Sequence, residues 1–174
     1  MYIDMNKIEY RQIGIIHSPF KTAEGTPIQP TGAVGIKGTV EVFPEYAEGL
    51  EDLDGFSHII LLYHCHLSKN FSLKVRPFLD NNSRGVFSTR APSRPNPIGM
   101  SCVRLAKIDK EILYVQDVDM LDSTPLLDIK PYISKFDIRQ VNREGWIENR
   151  IDKIKKAQDD GRFAKLLNGD QESS

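Results

Sequence analysis

Cysteine is scarce in this chain. Cys65 and Cys102 are the only two among 174 residues, too few for a disulfide framework. Each lies in an apolar run, and both are expected as free, buried thiols. Neither has the basic flank that would lower a thiol pKa, so no cysteine nucleophile is expected. Surplus charge is missing too: 23 Lys and Arg against 24 Asp and Glu leave a formal net charge of −1. That balance argues against broad, nonspecific binding to nucleic acid or membrane, while leaving room for a local basic patch. No apolar run reaches membrane length and no charged-then-apolar leader opens the sequence, so a cytoplasmic protein with no membrane partner is expected. A Gly-rich strand-to-helix turn of the dinucleotide or P-loop kind is absent, as is any internal repeat. Ser18 follows His17, but Pro19 comes next and no nucleophile-elbow context surrounds it.

What is present reads as β-rich over the first two-thirds. Residues 8–16 and 34–43 show strand alternation, and 56–66 is a long apolar run expected as a central strand. Further strands are expected over 85–88, 100–108, 112–118 and 126–133, with Asp109-Lys110-Glu111 a tight turn. Pro44 suits the first turn of a short acidic helix over 44–52. Short strands with few intervening helices favour a mostly antiparallel sheet or barrel over a doubly wound α/β sheet. From Val141 the pattern turns helical. Ile147, Ile151 and Ile154 share a face opposite Lys153, Lys155 and Lys156, which are either a solvated face or an RNA contact. A second short helix would hold Phe163, Leu166 and Leu167, and residues 168–174 are expected to be disordered.

The stretch least like scaffold is Arg90-Ala-Pro-Ser-Arg-Pro-Asn-Pro-Ile-Gly99. Its prolines fix φ, remove backbone donors and hold the preceding residues out of the helical region. The result is a stiff loop carrying the guanidinium groups of Arg90 and Arg94 and the amide of Asn96. Such forks match carboxylates, phosphates and base edges, and a rigid loop lowers the ordering cost of binding. His64 and His66 share strand parity, but His58 lies roughly 20 Å away and no second cluster supplies a third ligand, so no metal is expected. One of the pair is expected to pack as a core histidine while the other reaches a pocket at the strand's end. Asp122-Ser123-Thr124-Pro125 is explained by plain turn chemistry, and equally by a carboxylate and exposed amides offered to a ligand's hydroxyls.

Taken together, Gly14-Ile-Ile-His-Ser-Pro-Phe20, Gly55-Phe-Ser-His58, Gly85-Val-Phe-Ser-Thr followed by the proline-arginine loop, and Asp122-Ser-Thr-Pro-Leu-Leu-Asp-Ile-Lys-Pro-Tyr132 resemble the TsaA/TrmO-type family. The resemblance runs from about residue 8 to residue 132 in the right order. It implies a mainly β (α+β) fold: a single-sheet, closed or nearly closed antiparallel β-barrel over 1–134, with short helices, followed by a helical C-terminal tail over 135–174. It implies S-adenosylmethionine-dependent methylation of the exocyclic N6 of threonylcarbamoyladenosine beside the tRNA anticodon, by a homodimer. The implied cofactor-binding residues are Gln29, Pro30, Thr31, His66, Leu67, Arg90, Cys102, Asp122, Ser123, Thr124 and Pro125. By analogy Arg94 and Asn96 orient the modified adenosine, and Asp122 or His66 takes its proton.

A sulfonium methyl donor is already activated, so the chemistry needs alignment of nitrogen, carbon and sulfur rather than a covalent intermediate. Several bacterial members carry a larger C-terminal domain than the 40 residues found here after the barrel segment. The alternatives are a same-fold methyltransferase with a small non-RNA substrate, or a non-catalytic S-adenosylmethionine-binding regulator.

Overall fold

The computed structural model describes residues 7–150, 152 and 157–165, the side chains of 164 and 165 excepted. Its eight strands are β1 (Gly14–His17), β2 (Lys37–Val42), β3 (His58–His64), β4 (Lys74–Val75), β5 (Arg84–Gly85), β6 (Ile98–Asp109), β7 (Ile112–Gln116) and β8 (Thr124–Pro131). Six of them close a barrel in the order β1-β2-β7-β6-β3-β8, every pairing antiparallel, with β8 returning to β1. β4 and β5 form a separate two-stranded ribbon. Closure leaves no unpaired edge, and a barrel this small has room inside only for side chains.

Strand alternation fills that interior. Ile16, Val40, Val42, Ile59, Leu61, Val103, Leu105, Leu113, Val115 and Leu126 point inward and are buried, and Leu53, Val118 and Met120 complete the same core. Each such side chain contributes about 1.5–3 kcal/mol by leaving water. A second cluster outside the barrel joins Val75, Val86, Ala91 and Phe163, with Phe78 edge-on to Phe163 at 5.1 Å.

The expected barrel is present, the turn falls at 109–111 as expected, and the central strand β3 occupies His58–His64 within the apolar run 56–66. Lys110 carries the turn at φ 56°. Several elements differ. Pairing of β1 begins only at Gly14: Ile13 still donates its amide to the Leu126 carbonyl, but residues 7–12 stay exposed outside the sheet. Gly14 is required there: a Cβ would run into the Glu41 carbonyl of β2. The expected helix at 44–52 is a 3₁₀ helix, Pro44–Leu50. Beyond β5, Val86–Ser88 is a 3₁₀ turn rather than strand, since Ser88 Oγ and Thr89 Oγ1 donate to the Gly85 and Val86 carbonyls. The tail is not one helix from Val141. Its described residues hold α1 (Ser134–Asp137), an irregular stretch at 138–144, a 3₁₀ helix at Gly145–Arg150, a helical Asp152 and α2 (Arg162–Lys165). Ile147 sits in the 3₁₀ helix. Ile151, Lys153, Ile154, Lys155, Lys156, Leu166, Leu167 and residues 168–174 lie outside the described residues.

Both cysteines are free, but each is half-buried rather than fully buried. Among the described residues, no helix is long and apolar enough to cross a membrane, and no group of three His, Cys, Asp or Glu is arranged to hold a metal ion.

Candidate functional site: a charged cavity at one end of the barrel

The proline-arginine loop is braced from several sides. Arg94 Nη1 donates to the Thr89 and Ala91 carbonyls at 3.1 and 3.2 Å. Ser68 Oγ donates to the Pro92 carbonyl at 3.0 Å, and the Cys65 amide donates to the Pro97 carbonyl at 2.7 Å. Pro92 and Pro97 donate no backbone hydrogen bond, and the loop is held instead through the donors that reach their carbonyls. The loop is thereby pinned across the end of β3, where it walls a cavity of about 320 Å³. That volume suits a small-molecule ligand.

Arg90 and Gln29 face each other across this wall, Arg90 Nη1 donating to Gln29 Oε1 at 2.8 Å. His66 and Leu67 follow β3 in a turn rather than extending the strand, so strand parity does not reach His66. His66 lines the cavity 3.4 Å from Thr124 Oγ1. Burial, and then the neighbouring His64, lower its pKa, so the ring is neutral at physiological pH. His64 is half-buried on the barrel's outer face rather than packed in the core.

Of the residues singled out from sequence, Gln29, His66, Leu67, Arg90, Arg94 and Thr124 line this cavity together. Thr31 lines a second, larger cavity of about 770 Å³ that shares the Gln29–Arg90 wall. Pro30, Asn96, Cys102, Asp122, Ser123 and Pro125 line neither. Asn96 is exposed, and its carbonyl accepts from the Ile98 amide. Cys102 sits on the outward face of β6 opposite Ile60, and burial raises its thiol pKa. Asp122 turns away to Lys21 Nζ at 2.6 Å and accepts from the Ser18 amide at 3.1 Å. The Lys21 bond chiefly holds its carboxyl down at about 2, which makes it a weak proton acceptor. Ser123 has φ 61° and donates to Asp122, while Pro125 pairs with Ile15 in the barrel.

Sequence reasoning missed a polar group on the cavity wall. Asp119 Oδ1 accepts a 2.7 Å hydrogen bond from buried Ser101 Oγ, which lies 3.1 Å from the Tyr63 hydroxyl. Asp119 keeps some surface, as a cavity-lining residue must, but desolvation of its carboxyl pushes the pKa up to about 6. Burial also raises the Tyr63 pKa, and pushes that of Cys65 up to about 11. The available signal was an acidic residue between two apolar ones, Val118 and Met120, just past a strand.

Comparison with known proteins places this arrangement. A family model described as the tRNA-methyltransferase O N-terminal domain matches residues 15–138. The chain is 57% identical over 157 residues to a Pyrococcus abyssi (strain GE5 / Orsay) protein named a probable S-adenosyl-L-methionine-binding protein, covering 90% of this chain and 85% of that one. It is 36% identical over 137 residues to the Homo sapiens tRNA (adenine(37)-N6)-methyltransferase, covering 74% of this chain but 31% of that protein. The crystal structure of TrmO from Pseudomonas aeruginosa matches with a TM-score of 0.67 at 37% identity, over 80% of this chain and 62% of that one. The chain thus spans less than two thirds of that TrmO chain. Because the matched segment runs from β1 through the last barrel strand to just past α1, the chain belongs to the tRNA-methyltransferase O N-terminal domain family.

Proposed function

We propose that this protein is an S-adenosylmethionine-dependent methyltransferase acting on the N6 of threonylcarbamoyladenosine beside the anticodon of tRNA. The observation that carries the reading is the barrel-end cavity, in which a fixed loop brings Gln29, His66, Leu67, Arg90 and Thr124 around one space. The residues suit an adenosyl-sulfonium ligand. Ile28, Leu67 and Leu121 offer apolar wall to a purine, Arg90 offers a fork to a carboxylate, and Asp119 offers an anion to a cation. When bound, S-adenosylmethionine supplies a methyl carbon on a positively charged sulfur. The protein's part is to hold that carbon in line with the acceptor nitrogen and to exclude water.

The second cavity is the place for the acceptor. Phe78, Phe87 and Trp146 line it with Arg90, and Phe87 is 75% exposed. Aromatic faces beside a guanidinium suit a splayed-out base from a single-stranded loop, which needs only a local patch and not a basic protein. In this reading Arg94 braces the loop, and Asn96, exposed on that loop outside both cavities, meets RNA beyond the acceptor nucleoside. We assign 1–134 as the cofactor-binding domain, whose barrel strands lie within Gly14–Pro131, and 135–174 as a second segment that supplies Trp146 to the acceptor side.

The homodimer belongs to the same proposal. Ile98 and Met100, 40% and 53% exposed, alternate outward along β6 at the edge of the first cavity, where a second copy would cover them. The protein works in the cytoplasm, where its tRNA substrate is found.

The test is labelled methyl transfer from S-adenosylmethionine to tRNA with and without the threonylcarbamoyl group. Label is expected only in the modified tRNA. Label in a small molecule and not in tRNA, or cofactor binding with no transfer at all, would refute the acceptor assignment.

A further inference from the structure

The Asp119 carboxylate is desolvated and fixed in direction, and no part of the loop bracing uses it. It follows β7 between buried Val118 and Met120, and Ser101 on β6 holds its Oδ1 at 2.7 Å. Ser101 is 2% exposed and is itself met by the Tyr63 hydroxyl from β3. The groups whose charge or hydrogen bonds act on Asp119 are Ser101, the Asp119 backbone amide, Tyr63, Cys65 and Arg90. Arg94, His66 and Asp159 line the same cavity. Tyr63 and Cys65 are neutral at physiological pH, because burial raises both. Arg90 extends its guanidinium to Gln29. The Asp119 charge is therefore present but poorly solvated at neutral pH, and a cation brought beside it gains more there than in water.

Resting on the methyl-donor reading above, we propose that Asp119 is the charge selector of this cavity, favouring the sulfonium donor over its neutral thioether product. Donor and product share adenine, ribose, ammonium and carboxylate. They differ by one methyl group and one positive charge. A residue that holds a ribose hydroxyl or the ammonium acts on both ligands alike, whereas a fixed anion beside the sulfur acts on the donor alone. The charge that draws the donor in has nothing to hold once the methyl has left, so the product dissociates more readily. Asp159 also lines the cavity, its Oδ1 accepting from the Gly161 amide at 2.7 Å, so the control is Asp109, an exposed carboxylate paired to Lys107 at the other end of β6 that lines neither cavity.

The experiment measures dissociation constants of S-adenosylmethionine and S-adenosylhomocysteine by calorimetry on the full chain, across the range where Asp119 titrates. Above that range the wild type is expected to prefer the donor by about tenfold or more, as one charge pair in a partly desolvated site allows. The preference should shrink as pH falls through about 6. Asp119→Asn is expected to bring the two ligands within about twofold of each other, with product affinity retained. Ser101→Ala removes a hydrogen bond that favours the charged carboxylate, and should move the loss of preference to higher pH. That variant also carries the test if Asp119→Asn does not fold. Asp109→Asn, which removes one negative charge away from the cavity, should keep the preference. Equal weakening of both ligands by Asp119→Asn, no change in either, or collapse of the preference in Asp109→Asn overturns the proposal. Failure of the wild type to bind either ligand instead defeats the methyl-donor reading itself.

Discussion

Asp119 and Asp122 stand three residues apart and experience opposite fields. Asp119 is desolvated against the cavity and its pKa rises, whereas Asp122 gathers Lys21, the Ser18 amide and Ser123 and its pKa falls to about 2. A carboxyl held below its ordinary value adds stability above that value and loses it as pH falls through the folded one. Asp122→Asn should therefore be less stable than wild type at neutral pH, and the gap should close between about pH 4 and pH 2. With solvent screening, the difference is about 1 kcal/mol, or about 2–4 °C in Tm. Thermal melts of both proteins across that range check it, and a gap that persists at the acid end removes the linkage.

At the scale of elements, the register of β3 against β6 decides how the cavity wall is built. It sets Tyr63 opposite Gly99 and Leu61 opposite Ser101. The Tyr63 ring lies over Gly99 so closely that an added Cβ would overlap its ring carbons. Gly99→Ala should cost about 1–3 kcal/mol by overpacking, read as a lower midpoint in urea. The same substitution pushes on Tyr63, which contacts Ser101, the residue that holds Asp119. It should consequently weaken ligand binding at the first cavity beyond what the stability loss explains, and unchanged binding would show that the ring yields without disturbing Ser101.

The whole molecule is a closed barrel with a thin outer layer, and the cavities lie where the two meet. The C-terminal segment reaches back to that boundary: the Asp159 amide donates to the Thr26 carbonyl and the Gly25 amide to the Asp159 carbonyl, both at 2.8 Å, and Arg162 Nη1 donates to the Pro77 carbonyl at 2.9 Å. Phe163 then inserts among Phe78, Val75, Val86 and Ala91, and lines both cavities. Phe163→Ala should cost about 3 kcal/mol within that outer cluster, while the barrel core, which it does not touch, keeps its packing. Limited proteolysis is expected to cut the C-terminal segment sooner in the variant, with slow amide exchange retained in the barrel strands. Loss of exchange protection throughout the barrel would show instead that the two layers unfold as one.

Periodicity, turn chemistry and proline placement already determined much of this protein. The inward positions of β2, β3, β6 and β7, the Lys110 turn and the stiffness of the Arg90–Gly99 loop follow from residue type and spacing, because these depend on neighbours along the chain. The motifs also carried the family. What only the tertiary structure decided is which polar groups meet across strands. Parity with Val103 and Leu105 turns Ser101 inward and Cys102 outward, but only barrel closure sets Ser101 against Asp119 and leaves Asp122 to Lys21. The short 3₁₀ helices and the irregular tail were likewise beyond periodicity, since single hydrogen bonds and docking against the outer cluster set them rather than any repeated pattern. Charge in a cavity depends on what surrounds it in space, and that environment is assembled from β3, β6 and the residues after β7, segments distant in sequence.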